Sequence, residues 1–106
     1  MAIDNPKVID FISTSQDGKR VILTISNHLD WEDVESHLRS LQRKLYAYLV
    51  YVESGELGAS GMKFQGLQVV VSVRCKYPVP SIGEDFYRVI TPYFMEREVV
   101  LEYRDQ

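Results

Sequence analysis

Ile9-Asp-Phe-Ile-Ser-Thr-Ser-Gln-Asp-Gly-Lys-Arg-Val-Ile-Leu-Thr-Ile-Ser-Asn-His-Leu-Asp-Trp31 decides the fold, because it holds a hairpin, its turn and the start of a long helix. Val8 to Ser13 and Val21 to Ser26 are rich in β-branched and aromatic residues, the composition of paired strands. The register depends on the turn between them. A two-residue Asp17-Gly18 loop would put Asp10 on the face of Leu23 and Ile25. A three-residue loop, with Gln16-Asp17 in a type I turn and Gly18 left-handed, shifts the parity by one. Ile9 and Phe11 then share a face with Val21, Leu23 and Ile25, and Asp10 points outward beside Thr24. Burial of the apolar face favours this second register, because a one-residue slip exchanges every side chain between faces. A hairpin over residues 8–26 with the three-residue loop is therefore expected.

Leu29-Asp-Trp-Glu-Asp-Val34 opens a helix, with the Asp30 carboxylate placed to accept from first-turn N–H groups. Trp31, Val34, Leu38, Leu41, Leu45, Leu49 and Val52 recur at three- and four-residue steps, an amphipathic stripe. The pattern predicts a helix over 31–53, roughly 35 Å long at the usual rise, stopped near Gly55. Four glycines in residues 54–66 predict a flexible connector. No Gly-Lys-Ser/Thr follows them and a strand comes next, which argues against a phosphate loop.

Leu67 to Tyr77 alternates cleanly. Leu67, Val69, Val71, Val73, Cys75 and Tyr77 face one way and the polar or smaller residues between them face the other. Ser81-Ile-Gly-Glu84 reads as a capping box. Phe86, Val89, Ile90, Tyr93 and Phe94 keep helical spacing over 82–95, with a kink or a fresh turn expected at Pro92. Val99, Leu101 and Tyr103 mark a last strand over 98–104. The resulting order, β-β-α-β-α-β, predicts a single domain over 1–106. It is an α+β two-layer sandwich, a four-stranded mixed sheet with two helices on one face and a parallel C-terminal strand pair. The order of the strands is left open.

Composition bounds the function. Twelve Lys and Arg against fifteen Asp and Glu give a net charge of −3, without the basic face that a phosphate-backbone binder needs. Arg39, Arg43 and Lys44 sit on one helix, balanced by Asp30, Glu32, Asp33 and Glu35, and read as a solvated face. The single cysteine, Cys75, excludes an internal disulfide and a cysteine-rich zinc site. The absence of a signal peptide or a long apolar run points to the cytoplasm and away from the membrane.

Three groups of residues stand out. His28, Asp33 and His37 cluster at the strand-to-helix junction, and Asp33 and His37 are helical neighbours. A carboxylate and two imidazoles can ligate zinc or share a proton, although their spacing matches no established metal motif, and the plain reading has Asp30 as a cap, Asp33 in the helix dipole and both histidines on the surface. Tyr46, Val50 and Tyr51 lie off the core stripe of the long helix, where tyrosines act as contact anchors. Ile12 and Ile22, paired across the hairpin, would join Val70 and Val100 in an aliphatic patch on the outer face of the sheet.

The run Val8-Ile-Asp-Phe-Ile-Ser-Thr-Ser-Gln-Asp-Gly-Lys19, with Ser26-Asn-His-Leu-Asp-Trp31 and Val73-Arg-Cys-Lys-Tyr-Pro78, resembles a family of small bacterial proteins of unknown function. The resemblance implies a single-domain cytoplasmic protein and supplies no catalytic residues. The functional expectation is a non-enzymatic protein–protein interaction module that binds a protein partner or itself as a homodimer. An immunity-like or regulatory partner is its concrete form, with no cofactor, no nucleic acid and no membrane contact. The competing expectation is a small metal-dependent or acid–base enzyme built on His28, Asp33 and His37.

Overall fold

A computed structural model of the chain describes residues 11–53 and 67–105. Ile9, Asp10 and the glycine-rich stretch 54–66 lie outside the described residues. The elements are β1 (Phe11–Thr14), β2 (Arg20–Asn27), α1 (Val34–Glu53), β3 (Gln68–Cys75), α2 (Ser81–Met95) and β4 (Val99–Asp105). The strands stand in the order β1-β2-β3-β4, with β1 antiparallel to β2 and the other two pairs parallel. This is the expected α+β fold, with its four-stranded mixed sheet in the order β-β-α-β-α-β.

The connections through α1 and α2 step the same way along the sheet, so right-handed crossovers put both helices on one face. Leu41, Leu45, Tyr48 and Leu49 of α1 and Tyr87 and Phe94 of α2 share one buried cluster with Val21, Leu23, Ile25, Val71, Val73, Cys75, Val99 and Leu101. Each of these aliphatic side chains contributes about 1.5–3 kcal/mol on burial. Cys75 is a buried free thiol, as its place in the alternation predicts. The Tyr87 ring stacks on Tyr103 at 3.9 Å, and burial, with the Cys75 thiol beside it, pushes its phenol well above the usual range.

The hairpin register differs from the expected one by one residue. Phe11 pairs with Thr24, Ile12 with Leu23 and Ser13 with Ile22. Ile12 therefore faces the helices and packs on the core, while Phe11 points outward, 60% exposed. The cause lies in the turn. Gly18 N–H donates to Ser15 O at 2.9 Å and Gly18 is left-handed at φ +71°, as the sequence predicts. Strand pairing, however, closes one residue later, with Ser15 N–H donating to Arg20 O (2.9 Å). The Ser15 hydroxyl accepts from Arg20 N–H and the Asp17 carboxylate accepts from Lys19 N–H, so polar side chains satisfy a four-residue connection. Loop chemistry outweighs the burial of Phe11.

The helices also begin differently. Asp33, not Asp30, caps α1: its carboxylate accepts from Ser36 N–H at 3.1 Å, and the helix starts at Val34 rather than residue 31. Asp30 instead turns the preceding loop by accepting from Glu32 N–H. α2 has Pro80 at its N-cap with no side-chain cap bond, so the Ser81–Glu84 capping box does not form. Pro92 lies within α2 without ending it. The carbonyl it leaves unbonded belongs to Arg88, on the solvent side of the helix, where water can satisfy it.

Candidate functional site

The strand-to-helix junction is organised around His37, which is only 2% exposed. Its Nδ1 lies 2.8 Å from Asp30 O, and a carbonyl only accepts, so Nδ1 carries the proton. Nε2 then accepts from Asn27 Nδ2 at 2.8 Å. The Asn27 side-chain oxygen takes Leu29 N–H, and its main-chain oxygen takes Lys76 N–H. Trp31 stacks on the imidazole with ring centroids 3.6 Å apart. Its other side lies against α2: a Cβ placed on Gly83 would stand 2.9 Å from the indole and 2.7 Å from Val79. Burial lowers the His37 pKa below its usual 6.5, against the opposing pull of the Asp30 carbonyl and carboxylate. The imidazole is thus neutral and uses both nitrogens to hold the β2–α1 connection.

That geometry separates the three junction candidates. Asp33 spends its carboxylate on the helix cap, and His37 has no nitrogen left for a metal. His28 lies near enough to disfavour a charge on His37. Among the described residues no group of three or more His, Cys, Asp or Glu is arranged to hold a metal ion. The junction is a clamp on a loop.

The helical layer presents a different surface. Tyr46 and Val50, one turn apart on α1, are 48% and 54% exposed. Tyr51 turns the other way and packs, half-buried, on the core. Opposite Tyr46 stands Tyr93 of α2, with their hydroxyls 3.0 Å apart; this contact raises the Tyr46 pKa. A cleft of about 460 Å³ opens between the helices, lined by Gln42, Tyr46, Phe86, Val89, Ile90 and Tyr93. Val89 is 79% exposed on its rim. A second hollow of about 330 Å³, lined by Arg39, Gln42, Arg43 and Tyr46, continues it toward the start of α1. At the far end the Arg97 guanidinium lies 3.9 Å from the Tyr93 ring and 3.5 Å from Glu53.

Half of this groove escapes the sequence reading. Phe86, Val89, Ile90 and Tyr93 have the spacing of a core stripe, but the fully buried side chains of α2 are Tyr87 and Phe94. The available signal was Gly83: with Tyr87 it sits one helical turn apart on a single face, and a small residue there lets α2 approach Trp31 closely.

The outer face of the sheet answers the expectation of an aliphatic patch in part. Ile22, Val70 and Val100 stand in one row across β2, β3 and β4, directly in register. Val70 is 2% exposed and its two neighbours are half-buried, so little of the row is open. Ile12 does not belong to it, for the reason given by the hairpin register. A further cleft of about 750 Å³ at the start of β3 and β4 is lined by residues that include Lys19, Gln68, Arg97 and Glu98.

Glu98 stands at φ +61°, the left-handed region that a side chain disfavours by about 1–2 kcal/mol. Its main-chain carbonyl accepts from Gln68 Nε2 at 2.8 Å, a contact any residue could make. Glu98→Gly is expected to raise stability by about 0.5–1 kcal/mol, less than the relieved strain because glycine is freer when unfolded. A thermal melt checks this, and an unchanged or lower midpoint contradicts it.

No helix among the described residues is long and apolar enough to cross a membrane. Residues 1–106 match the protein family DUF6572, described as a family of unknown function. No curated protein and no solved structure matches the chain.

Proposed function

We propose that this chain, which belongs to the DUF6572 family of unknown function, is a non-enzymatic protein–protein interaction module that binds through the outer groove of its helical layer. One observation carries the reading: two helices turn Tyr46 and Val89 to solvent around an apolar cleft, with Val50 exposed one turn further along α1, although both already have a sheet to cover. Apolar side chains gathered around one concavity mark association surfaces, whereas scattered ones do not. The tyrosine pair suits the role, since each ring buries area while its hydroxyl stays hydrogen-bonded. The polar junction supports the non-enzymatic side, because its histidine and aspartates are occupied in holding a loop. The setting we infer is the bacterial cytoplasm. The partner is another protein, in an immunity-like or regulatory pairing, or a second copy of the chain.

Tyr46→Ser combined with Val89→Asp tests the groove. Both side chains are exposed enough that the melting transition should hold within about 0.5 kcal/mol. The wild type is expected to associate, in light scattering across a concentration series or in affinity capture, and the double variant is expected to lose that association. A wild type that stays monomeric and whose captured partners all survive both substitutions would refute the reading.

A further inference from the structure

We infer that the occupant of this groove is an amphipathic helix of another protein, with its apolar face on Tyr46, Phe86, Val89 and Tyr93 and its carboxylates over Arg43 and Arg39. The inference rests on the proposed reading of the groove as a binding surface and adds the chemistry of what fills it.

Charge is the first argument. The two ends of the groove are unequal. At one end Arg97 is already engaged by Glu53 and by the ring and carbonyl of Tyr93. At the other, Arg43 is exposed beside Tyr46 and has no hydrogen-bond or ion-pair partner among the described residues. Among the described residues Arg39 is held only by Glu35, through a solvent-exposed pair one turn away on the same helix. Such a pair is weak and exchanges easily for a better-placed carboxylate. An incoming segment therefore meets apolar surface along most of the groove and uncompensated positive charge at one end.

Backbone chemistry selects a helix over an extended peptide. Both walls of the groove are helices, whose backbone groups, apart from the Arg88 carbonyl freed by Pro92, are bonded within the helix and offer no edge to pair with. An extended segment would lay unpaired backbone groups on an apolar floor; a helix arrives with its own already bonded. From Arg39 to Val50 is eleven residue steps of α1, or roughly 16 Å, enough to accommodate about three turns. The ligand so defined has apolar anchors at three- and four-residue steps and Asp or Glu clustered at one end.

A phage-displayed random peptide library of helix-forming scaffold, panned against the full-length chain, supplies the probe, and the best sequence is then synthesised and labelled for anisotropy. Selected peptides are expected to carry helical apolar spacing with flanking carboxylates and to weaken with added salt. Val89→Asp and Arg43→Glu should each reduce affinity at least ~10-fold, with circular dichroism confirming that both variants fold. Reversing the peptide carboxylates to lysine should restore binding to Arg43→Glu alone, which only a direct ion pair explains. Peptides that need Val89 but ignore Arg43 would overturn the acidic helix and leave the groove reading intact. So would a dimer seen by light scattering that Val89→Asp abolishes and that excludes every peptide, since the occupant would then be a second copy. If no peptide is sensitive to Val89→Asp and no dimer forms, both the inference and the reading beneath it fail.

Discussion

Replacing His37 with leucine is expected to lower unfolding stability by about 2–4 kcal/mol near neutral pH and to remove part of the acid sensitivity of the fold. The cost has two sources. Asn27 Nδ2 and Asp30 O each lose a partner, and a buried polar group left unpaired costs about 1–3 kcal/mol. Trp31 also loses the ring it stacks on. The pH dependence follows from burial, which holds the folded-state pKa below the usual 6.5. As pH falls below 6.5 the unfolded chain takes up the proton first, and stability drops wherever the unfolded state binds more protons. This contribution is thus fully present above pH 6.5 and is lost as pH falls through the lowered folded-state value. Asp30 opposes the shift of His37 and His28 reinforces it. Urea unfolding of wild type and His37→Leu, compared from neutral pH down to mild acid, measures the difference. Parallel profiles would assign the acid sensitivity to carboxylates elsewhere, and a loss below about 1 kcal/mol would deny the clamp its structural role.

The same residue shows where sequence reading stops. Alternation made β2, β3 and β4 legible, because one apolar face of period two is enough to mark a strand, but it did not show that Val70 and Ser72 on the other face of β3 are buried as well. It also located Cys75 correctly. The stripe on α1 was legible only in its aliphatic members. His37, Lys44 and Tyr48 lie on the same face as Leu41 and Leu45 and are equally buried, yet each carries a polar atom that suggests solvent. Lys44, grouped by charge with Arg39 and Arg43, is fully buried with its ammonium 5.5 Å from the Tyr48 ring centre. Nothing in the charge pattern announces that placement.

The start of α1 was ambiguous because Asp30 and Asp33 are both competent caps, and only three-dimensional packing of Trp31 against Gly83 chooses the later one. The hairpin register was missed because side-chain hydrogen bonds from Ser15 and Asp17, invisible to an apolar count, set the loop length. The hairpin and the parallel C-terminal pair were legible, but the placement of one relative to the other was not, because β2, β3 and β4 carry similar alternation. For the candidate surface, the position of Tyr46 and Val50 off the core stripe was legible. The contribution of α2 was not, because Phe86, Val89 and Tyr93 keep the spacing of a buried face, whereas Val89 is exposed and Phe86 and Tyr93 are only half-buried. That Arg43 has no partner among the described residues depends on where their carboxylates end up in the fold.

Tyr48 offers the cleanest separation of volume from hydrogen bonding in this core. It is fully buried among the largest side chains of the molecule, and its hydroxyl donates to the main-chain oxygen of Thr24 at 2.9 Å, tying α1 to β2. Tyr48→Ala removes an aromatic ring from a packed site and is expected to cost about 3–5 kcal/mol. For a domain whose total stability is of order 5–15 kcal/mol, that lowers the melting temperature by roughly 12–30 °C. Tyr48→Phe keeps the ring and deletes one hydrogen bond, so about 1 kcal/mol is expected, rising toward 2 if no water reaches the Thr24 carbonyl. The ratio between the two variants is the informative quantity. A small loss for phenylalanine and a large one for alanine means α1 is held by packing, and the hydroxyl only fixes its position along the strand. Equal losses would mean that the helix depends on its bond to β2. A loss below about 1 kcal/mol for alanine would mean that the ring does not anchor α1 to the sheet at all.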